Sequence, residues 1–546
     1  MSTASPSRRT LLAATGAAAA AVGLPALSAC GGSAASGSGG AAKSAKTKLP
    51  VYAPGKTATP DIAGQLGGVD PVYLRYPANP VKSVASAPGD GKPISVLTET
   101  WTTPMPSGSS NQYLAELNKR LGSTLDMTVT QDVGDGYLGK FNSIIAGGQI
   151  PELVWFPPNQ GLQKVPQLLQ AKFHDLTPYL SGSAVKKYPN LAGLPTYSWK
   201  TSVIDGKIAG VTVTQGHLGQ VYVVNADFWK PVGGATFTSA DDFFNKCKEL
   251  LDAKRKKYVL EPFYPNAVHM FGEWYGAPNG WRNEGGKLTA NYETDEYLAA
   301  IEFAVKCRQA NLFWPDVNVA DASTKVQGGQ QLGAYVEAQP SALVATPNLS
   351  WPADVIIPFP AHAGAKVHFD LNYGSIGFTA ISNQVDKARI PTLLNVMNYL
   401  AAPFGTEEHL FLHFGIEGRD WARTKDGDVK STAQGQSEAV TTYSPVGTFT
   451  QGPSATYAPG APARAKHTYQ VEKQLAAMAW SNPVNGLYSD TYTNKGAELS
   501  TTMSTLLVDV VAGRKKISDW KAGVKTWRSQ GGDAMRHEYE QALAKA

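Results

Sequence analysis

From residue 94 onward the apolar positions switch repeatedly between a strand period and a helix period. Ile94-Ser95-Val96-Leu97 reads as a strand ending at Glu99 and Trp101. A helix over 110–121 follows, with Tyr113, Leu114, Leu117 and Leu121 on one face. A strand at 125–130, a helix around 138–146 and a strand in Pro151-Glu152-Leu153-Val154-Trp155-Phe156 continue the alternation. This order predicts an α/β unit with a mainly parallel sheet. The pattern then starts again. Val221–Val224 is a strand, and Ser239 with Asp242 three residues on makes a capping-box-like start to a helix. A helix over 295–310 carries Leu298, Ile301 and Val305 on one stripe, and Asp354–Ile357 is a strand. Tyr373–Phe378 reads as a strand returning to the first unit. Pro391 opens a helix through Tyr399, a second runs to Phe414 before Gly415, and Trp520, Val524 and Trp527 share a core-facing stripe near the end. No repeat of 20–50 residues exists.

The segments outside this pattern differ in kind. Residues 31–48 (GGSAASGSGGAAKSAKTK) form a flexible tether, residues 49–92 a Pro- and Gly-rich extended arm, and residues 423–465 a long polar stretch. Upstream, Ser7-Arg8-Arg9-Thr10-Leu11-Leu12 reads as a twin-arginine export signal, and Leu27-Ser28-Ala29-Cys30 resembles a bacterial lipobox. Small residues there admit the signal peptidase, and the Cys30 thiol accepts diacylglycerol. Residues 10–29 are mostly Ala and Gly, too poor in large apolar side chains for a membrane span. The expectation is a leader over 1–29 and a body that starts at Cys30. That body is lipid-anchored to the outer face of the cell membrane through its N-terminal acyl chains.

Composition narrows the options. Losing Arg8 and Arg9 with the leader takes the formal charge from +5 to +3, and three lysines lie in the tether, so the folded body is near neutral. That excludes a basic nucleic-acid-binding stripe. Charged residues make up 17% and aromatics 10%, a low-charge, aromatic-rich profile found in carbohydrate-handling and in plain secreted proteins. The chain is too long for one core, so two or more lobes are expected. Besides Cys30 there are only Cys247 and Cys307, each on a predicted helix. They form either one disulfide or two buried thiols. No Cys/His spacing suggests zinc, and no cofactor is expected.

Four segments occur in one order: Ile94–Thr100, PELVWF at 151–156, GQVYVVNADFW at 219–229 and YGSIGFTAIS at 373–382. Together with the lipobox they resemble the extracellular solute-binding proteins of family 1, the receptors of sugar-importing ABC transporters. The segment from Gly276 to Asp316, FGIEGRDW at 414–421 and WRSQGGDAMRHEYEQAL at 527–543 match the lipoprotein branch of that family. The resemblance implies a two-lobe periplasmic-binding-protein-like fold of type II, with crossover strands near 211–221, 372–378 and 440–450 and the ligand cleft between the lobes. Lobe 1 would take 93–215 and 376–440, and lobe 2 would take 216–375 and 441–546. It further implies a sugar or oligosaccharide ligand, ABC permease subunits as partners, hinge closure on ligand, and a monomer. AKRKKYVLEPF at 253–263 lacks the DxNxDG spacing of the branch's calcium loop, so no metal is carried over.

Sugar recognition needs flat apolar faces for pyranose rings and planar polar groups for paired hydroxyls. The candidates are Trp101, Trp155, Tyr222, Trp274, Trp281 and Tyr373, each either a stacking face or a core residue, with Glu99 as the polar candidate. Other motifs are weaker. Gly134–Lys140 approaches a phosphate loop, but Phe141 replaces the magnesium-holding hydroxyl. His409 and His413 are four apart without a visible third ligand, and Gly374-Ser375-Ile376-Gly377 has the wrong spacing for a nucleophile elbow. The reading is therefore a binding protein and not an enzyme. One rival is a secreted glycoside hydrolase or polysaccharide lyase using Glu99 and Glu152, and another is a surface carbohydrate sensor or adhesin.

Overall fold

A computed structural model describes residues 47–65, 67–101, 111–131, 136–157, 162, 164–315, 332–345, 351–438 and 445–545. The leader, Cys30 and nearly all of the tether lie outside the described residues, as does Gly134-Asp135 of the phosphate-loop-like motif.

Among the described residues, nine strands build the two larger sheets: β1 (Ile94–Thr100), β2 (Leu125–Gln131), β3 (Leu153–Phe156), β4 (Val211–Thr214), β5 (Val221–Asn225), β6 (Tyr258–Leu260), β7 (Leu332–Glu337), β8 (Ala353–Val355) and β9 (Ser375–Ile381). The first sheet has the order β2-β1-β3-β9-β4. Strand β1 is parallel to β2 and β3, while β9 runs antiparallel between β3 and β4. The second sheet has the order β8-β5-β7-β6, with only the β6–β7 pair parallel. Each sheet has its own core, so the molecule has two α/β lobes. The two α/β lobes are as expected from the strand–helix alternation, but the sheets are mixed rather than mainly parallel, because the strand returning between lobes (β9) and the β5 pairings run antiparallel.

Local signals set the elements around β1. Asn111 caps the helix Gln112–Leu121 by accepting from Leu114 N at 3.0 Å, and Gly122 closes it at φ 67°. Tyr113, Leu117 and Leu121 on its inner face are fully buried. Phe156 and Phe378 stack 5.2 Å apart across the β3–β9 pair, locking the returning strand beside the first three. At Ser239 the hydroxyl accepts from Asp242 N at 3.1 Å, but the Asp242 carboxylate accepts from Thr238 N, not from Ser239. Only half of the expected capping box forms.

Three connections join the lobes. The chain leaves β4 and enters β5 through 215–220, returns through 370–374 into β9, and crosses again after Phe449. This last crossing falls at the far end of the span 440–450 that the resemblance implies. Val446 and Phe449 belong to the first core, where the helix Pro445–Phe449 packs, so the expected lobe boundary at 441 moves to about 450. The polar run 423–465 is likewise more structured than its composition implies. Its few apolar residues (Val429, Val446, Phe449) are buried, and between them it forms two short helices and paired strands.

The arm 49–92 is extended and touches both lobes. Val51 N and Ala53 N donate to Gly182 O and Ala192 O at 2.9 and 2.8 Å on lobe 1. Val72–Tyr73 pairs in parallel with Thr456–Tyr457, and Asp70 N donates to Glu472 Oε2 at 3.0 Å on lobe 2. Cys247 and Cys307 are unpaired thiols buried in the lobe 2 core, which resolves the alternatives left by the sequence.

Candidate functional site

In α/β folds ligands collect where strands end at their carboxyl edges, because loops there are free to vary over a rigid sheet. In lobe 1 that edge is the end of β1, which delivers Glu99, Thr100 and Trp101. In lobe 2 it is the end of the parallel pair β6 and β7, which delivers Glu261, Phe263 and Glu337. Glu261 ties this edge together, accepting from Asn266 Nδ2 at 2.7 Å and from Val336 N at 3.3 Å. The two edges carry large exposed aromatics: Trp101 is 37% and Phe263 53% exposed.

The floor between the lobes is a two-stranded antiparallel ribbon. Gln215 N donates to Gly374 O at 3.1 Å, Asn372 N to His217 O at 2.8 Å and Gly219 N to Asp370 O at 3.1 Å. His217 stacks on Tyr197 of lobe 1 at 4.0 Å. Burial and the nearby Lys200 charge push its imidazole down to about 4, so it is neutral at physiological pH. Thr214 Oγ1 donates to Gly452 O at 2.6 Å, fastening the third connection to the ribbon. Two cavities flank this floor. One of about 280 Å³ is lined by Gln220, His269, Asn279, Asn372, Tyr373 and Asn485. The other, of about 410 Å³, meets Gln215, Glu337, Gln339, His409 and His413. Amides and hydroxyls that donate and accept in one plane suit vicinal sugar hydroxyls.

The structure separates the candidate residues into groups. Trp101 stands edge-on over Trp155, ring centroids 5.7 Å apart at 89°, and Trp155 in turn packs at 5.1 Å on Tyr137, whose hydroxyl donates to Trp155 O. Trp155 is 1% exposed, so it supports Trp101 from below. Glu99 is buried at the end of the same strand. Tyr373 lines the smaller cavity and shares a hydrogen bond with Tyr492, and burial pushes its hydroxyl above the ordinary tyrosine value. Trp281 leans on Trp527 and Tyr539 at 6.1 and 5.9 Å and lines a different cavity, on lobe 2. Tyr222 and Trp274 lie in the lobe 2 core with no exposed surface. A ring without an open face has nothing to stack on a sugar, so in this conformation both act as core residues. His409 and His413 stack on each other at 4.0 Å, with Tyr76 bonded to His409 Nδ1 at 3.1 Å.

Phe263 and the ribbon amides were missed by sequence reasoning. Phe263 follows the apolar run Tyr258-Val259-Leu260 as Trp101 follows β1, so the same strand-end rule would have found it. Glu99 and Glu152 do not form a catalytic pair. Glu152 accepts from Ser95 N at 3.3 Å and is bridged by Arg389 at 3.1 Å, at the opposite end of β1 from Glu99. Ser95, which holds Glu152, stands four strand positions from Glu99, a backbone rise of about 13 Å against the ~10 Å that spans a scissile glycosidic bond.

Two α/β lobes joined by three connections, with polar cavities beside the joining ribbon, match the two-lobe type II fold of solute-binding proteins. No family model matches the chain. The lipoprotein LipO of Bacillus subtilis (strain 168) is 22% identical over 478 residues, covering 82% of this chain and 92% of that protein. The polygalacturonan/rhamnogalacturonan-binding protein YtcQ of the same organism is 22% identical over 484 residues, covering 85% and 94%. Among solved structures, the alginate-binding protein AlgQ2 without calcium ion superposes with a TM-score of 0.63 at 14% identity, covering 84% of this chain and 100% of that one. These relatives match the chain over more than four-fifths of its length, and the solved structure shares its two-lobe fold.

Proposed function

We propose that the chain is an extracytoplasmic receptor that holds a neutral oligosaccharide between its lobes and hands it to an ABC import permease. The observation that carries this is the cavity on the lobe-joining ribbon, lined by Gln220, Asn279, Asn372, Tyr373 and Asn485; the exposed rings of Trp101 and Phe263 at the strand ends are the stacking faces this reading offers to sugar. Relatives with names for glycan binding support a carbohydrate ligand. Those named ligands are acidic, whereas here the charged groups lining the two cavities among the described residues are Asp70, Glu337 and Asp370 besides the histidines. No Lys or Arg side chain lines either cavity among the described residues to pair with a uronate, which favours a neutral sugar.

Ligand contacts both lobes, so binding shifts the population toward a closed form that a permease distinguishes from the open one. The separation of Glu99 from Glu152 supports binding without hydrolysis. Cys30 serves as the lipid anchor in this reading.

The test is a thermal-shift and calorimetry panel of neutral and uronate oligosaccharides on the purified full-length protein. A neutral sugar at 100 times its dissociation constant should stabilise the fold by about 2.7 kcal/mol. Scattering should show a smaller radius of gyration with that sugar. Preferential binding of uronates overturns the neutral assignment, and recovery of cleaved sugar overturns the receptor.

A further inference from the structure

The helix Tyr264–Tyr275 carries His269 and Glu273 four residues apart, hence on one face. Asp370, from the returning connection, lies against that face. One ligand atom from each of the three side chains falls within 4.8 Å of the other two. Glu273 is 1% exposed, and its two oxygens are used unequally. Oε1 accepts from Asp370 N at 2.8 Å, whereas Oε2 is buried without a hydrogen-bond partner. Asp370 Oδ2 sits 3.8 Å from His269 Nδ1, too long for a hydrogen bond, and Oδ1 is held by His368 Nε2 at 3.0 Å. His368 is itself fixed by the Trp480 ring, stacked at 4.0 Å and 10°. His269 and Asp370 both open onto the 280 Å³ cavity.

We propose that His269, Glu273 and Asp370 form a binding site for a borderline divalent transition ion of the zinc class. Two carboxylates buried side by side repel each other and are costly to desolvate. A dication neutralises both and gives Glu273 Oε2 the partner it lacks. One imidazole nitrogen and two carboxylate oxygens match the preference of zinc, with ligand distances near 2.0–2.2 Å, whereas calcium takes six to eight oxygens. Bringing the three atoms to an ion requires only a modest closing of the present spacing. His368 behind Asp370 is the outer partner that fixes a ligating carboxylate. The ion would bind the lobe 2 helix to the connection at its root, and its open positions would face the cavity.

The test uses full-length protein stripped with EDTA and titrated by calorimetry with zinc, manganese and calcium chlorides, with melting curves in parallel. Zinc should bind one per chain and raise the melting temperature. Glu273→Gln keeps the side-chain volume and the acceptor for Asp370 N while removing the anionic donor. It should weaken zinc binding by about 100-fold or more, beyond the 10–100-fold typical of outer partners. The metal-free melting temperature of that variant should not fall. His269→Ala, at a half-exposed position, is the second variant and should also lose at least about 10-fold. If no transition ion binds at one per chain, or zinc binding survives both substitutions, the assignment is wrong and the carboxyl pair is held by a proton.

Discussion

The pair Trp101 and Trp155 offers a test in which two neighbouring rings should fail in opposite ways. Trp155 is 1% exposed and carries Trp101 and Tyr137 on its faces and edge. Trp155→Ala empties a site in the lobe 1 core and should cost about 3–5 kcal/mol of stability. Trp101 leaves 37% of its surface open. For a ring system of roughly 250 Å² that is about 90 Å² available to a ligand, worth about 2 kcal/mol when covered. Trp101→Ala should therefore weaken sugar binding by roughly 30-fold. Its stability cost should be smaller than that of Trp155→Ala, with about 0.5–1.5 kcal/mol from the lost edge-on pair. Urea unfolding gives the first quantity, and calorimetry with the best ligand from the panel gives the second. If Trp101→Ala binds sugar as tightly as the parent while losing several kcal/mol of stability, Trp101 is a core residue and the cleft assignment of that strand end fails.

Further outcomes follow from single sites. Gly377 sits at φ +128° in an irregularity of β9, where a Cβ would lie 2.2 Å from Phe156 O; Gly377→Ala should cost about 3 kcal/mol or more in urea unfolding, and a neutral result would contradict the close approach. Burial pushes Asp70 up to about 7 and raises its neighbour Glu472 too, so the folded state holds protons that the unfolded chain releases near pH 4. Stability should fall as pH rises from about 4 to about 7, and Asp70→Asn should flatten that slope in urea midpoints. Cys247 and Cys307 should react with a thiol reagent only in denaturant, since both are buried and burial raises their thiols; absence of thiol in denaturant would reveal a disulfide. Cys30→Ser should release the protein from the membrane fraction or block its processing, and continued detergent-phase partitioning would refute the lipid anchor.

Much of lobe 1 was legible because its signals are local. Ile94–Leu97, the helix face Tyr113/Leu117/Leu121 and Leu153–Phe156 each report their element within a few residues, and alternation of strands and helices through short connections sets β1 parallel to β2 and β3, while the antiparallel β9 and β4 are added by the distant returning chain. The strand-end rule placed Glu99 and Trp101 at the carboxyl end of β1 for the same reason. Tyr222 and Trp274 show no open face: Tyr222 lies in a strand buried on both faces and Trp274 on the core side of the helix Tyr264–Tyr275, and an aromatic in an apolar run reads the same in sequence whether it packs inward or lines a cleft. Trp281 illustrates a further limit. Its Gly- and Pro-rich surroundings mark a loop, but only packing against Trp527 and Tyr539, some 250 residues on, decides which cavity it lines.

The sequence by itself determined the two α/β lobes, their order along the chain and the family they resemble, since hydrophobic period and turn chemistry are properties of neighbouring residues. It could not settle whether two cysteines are bridged, where the third crossing falls, or which polar groups meet. Asp370 reaches Glu273 across 97 positions, and Asp70 reaches Glu472 across 402. Contacts of that separation depend on how the lobes and the arm dock, and no local periodicity encodes them. The chemistry at the floor of the cleft is therefore a product of tertiary structure, built from residues that are individually unremarkable in the chain.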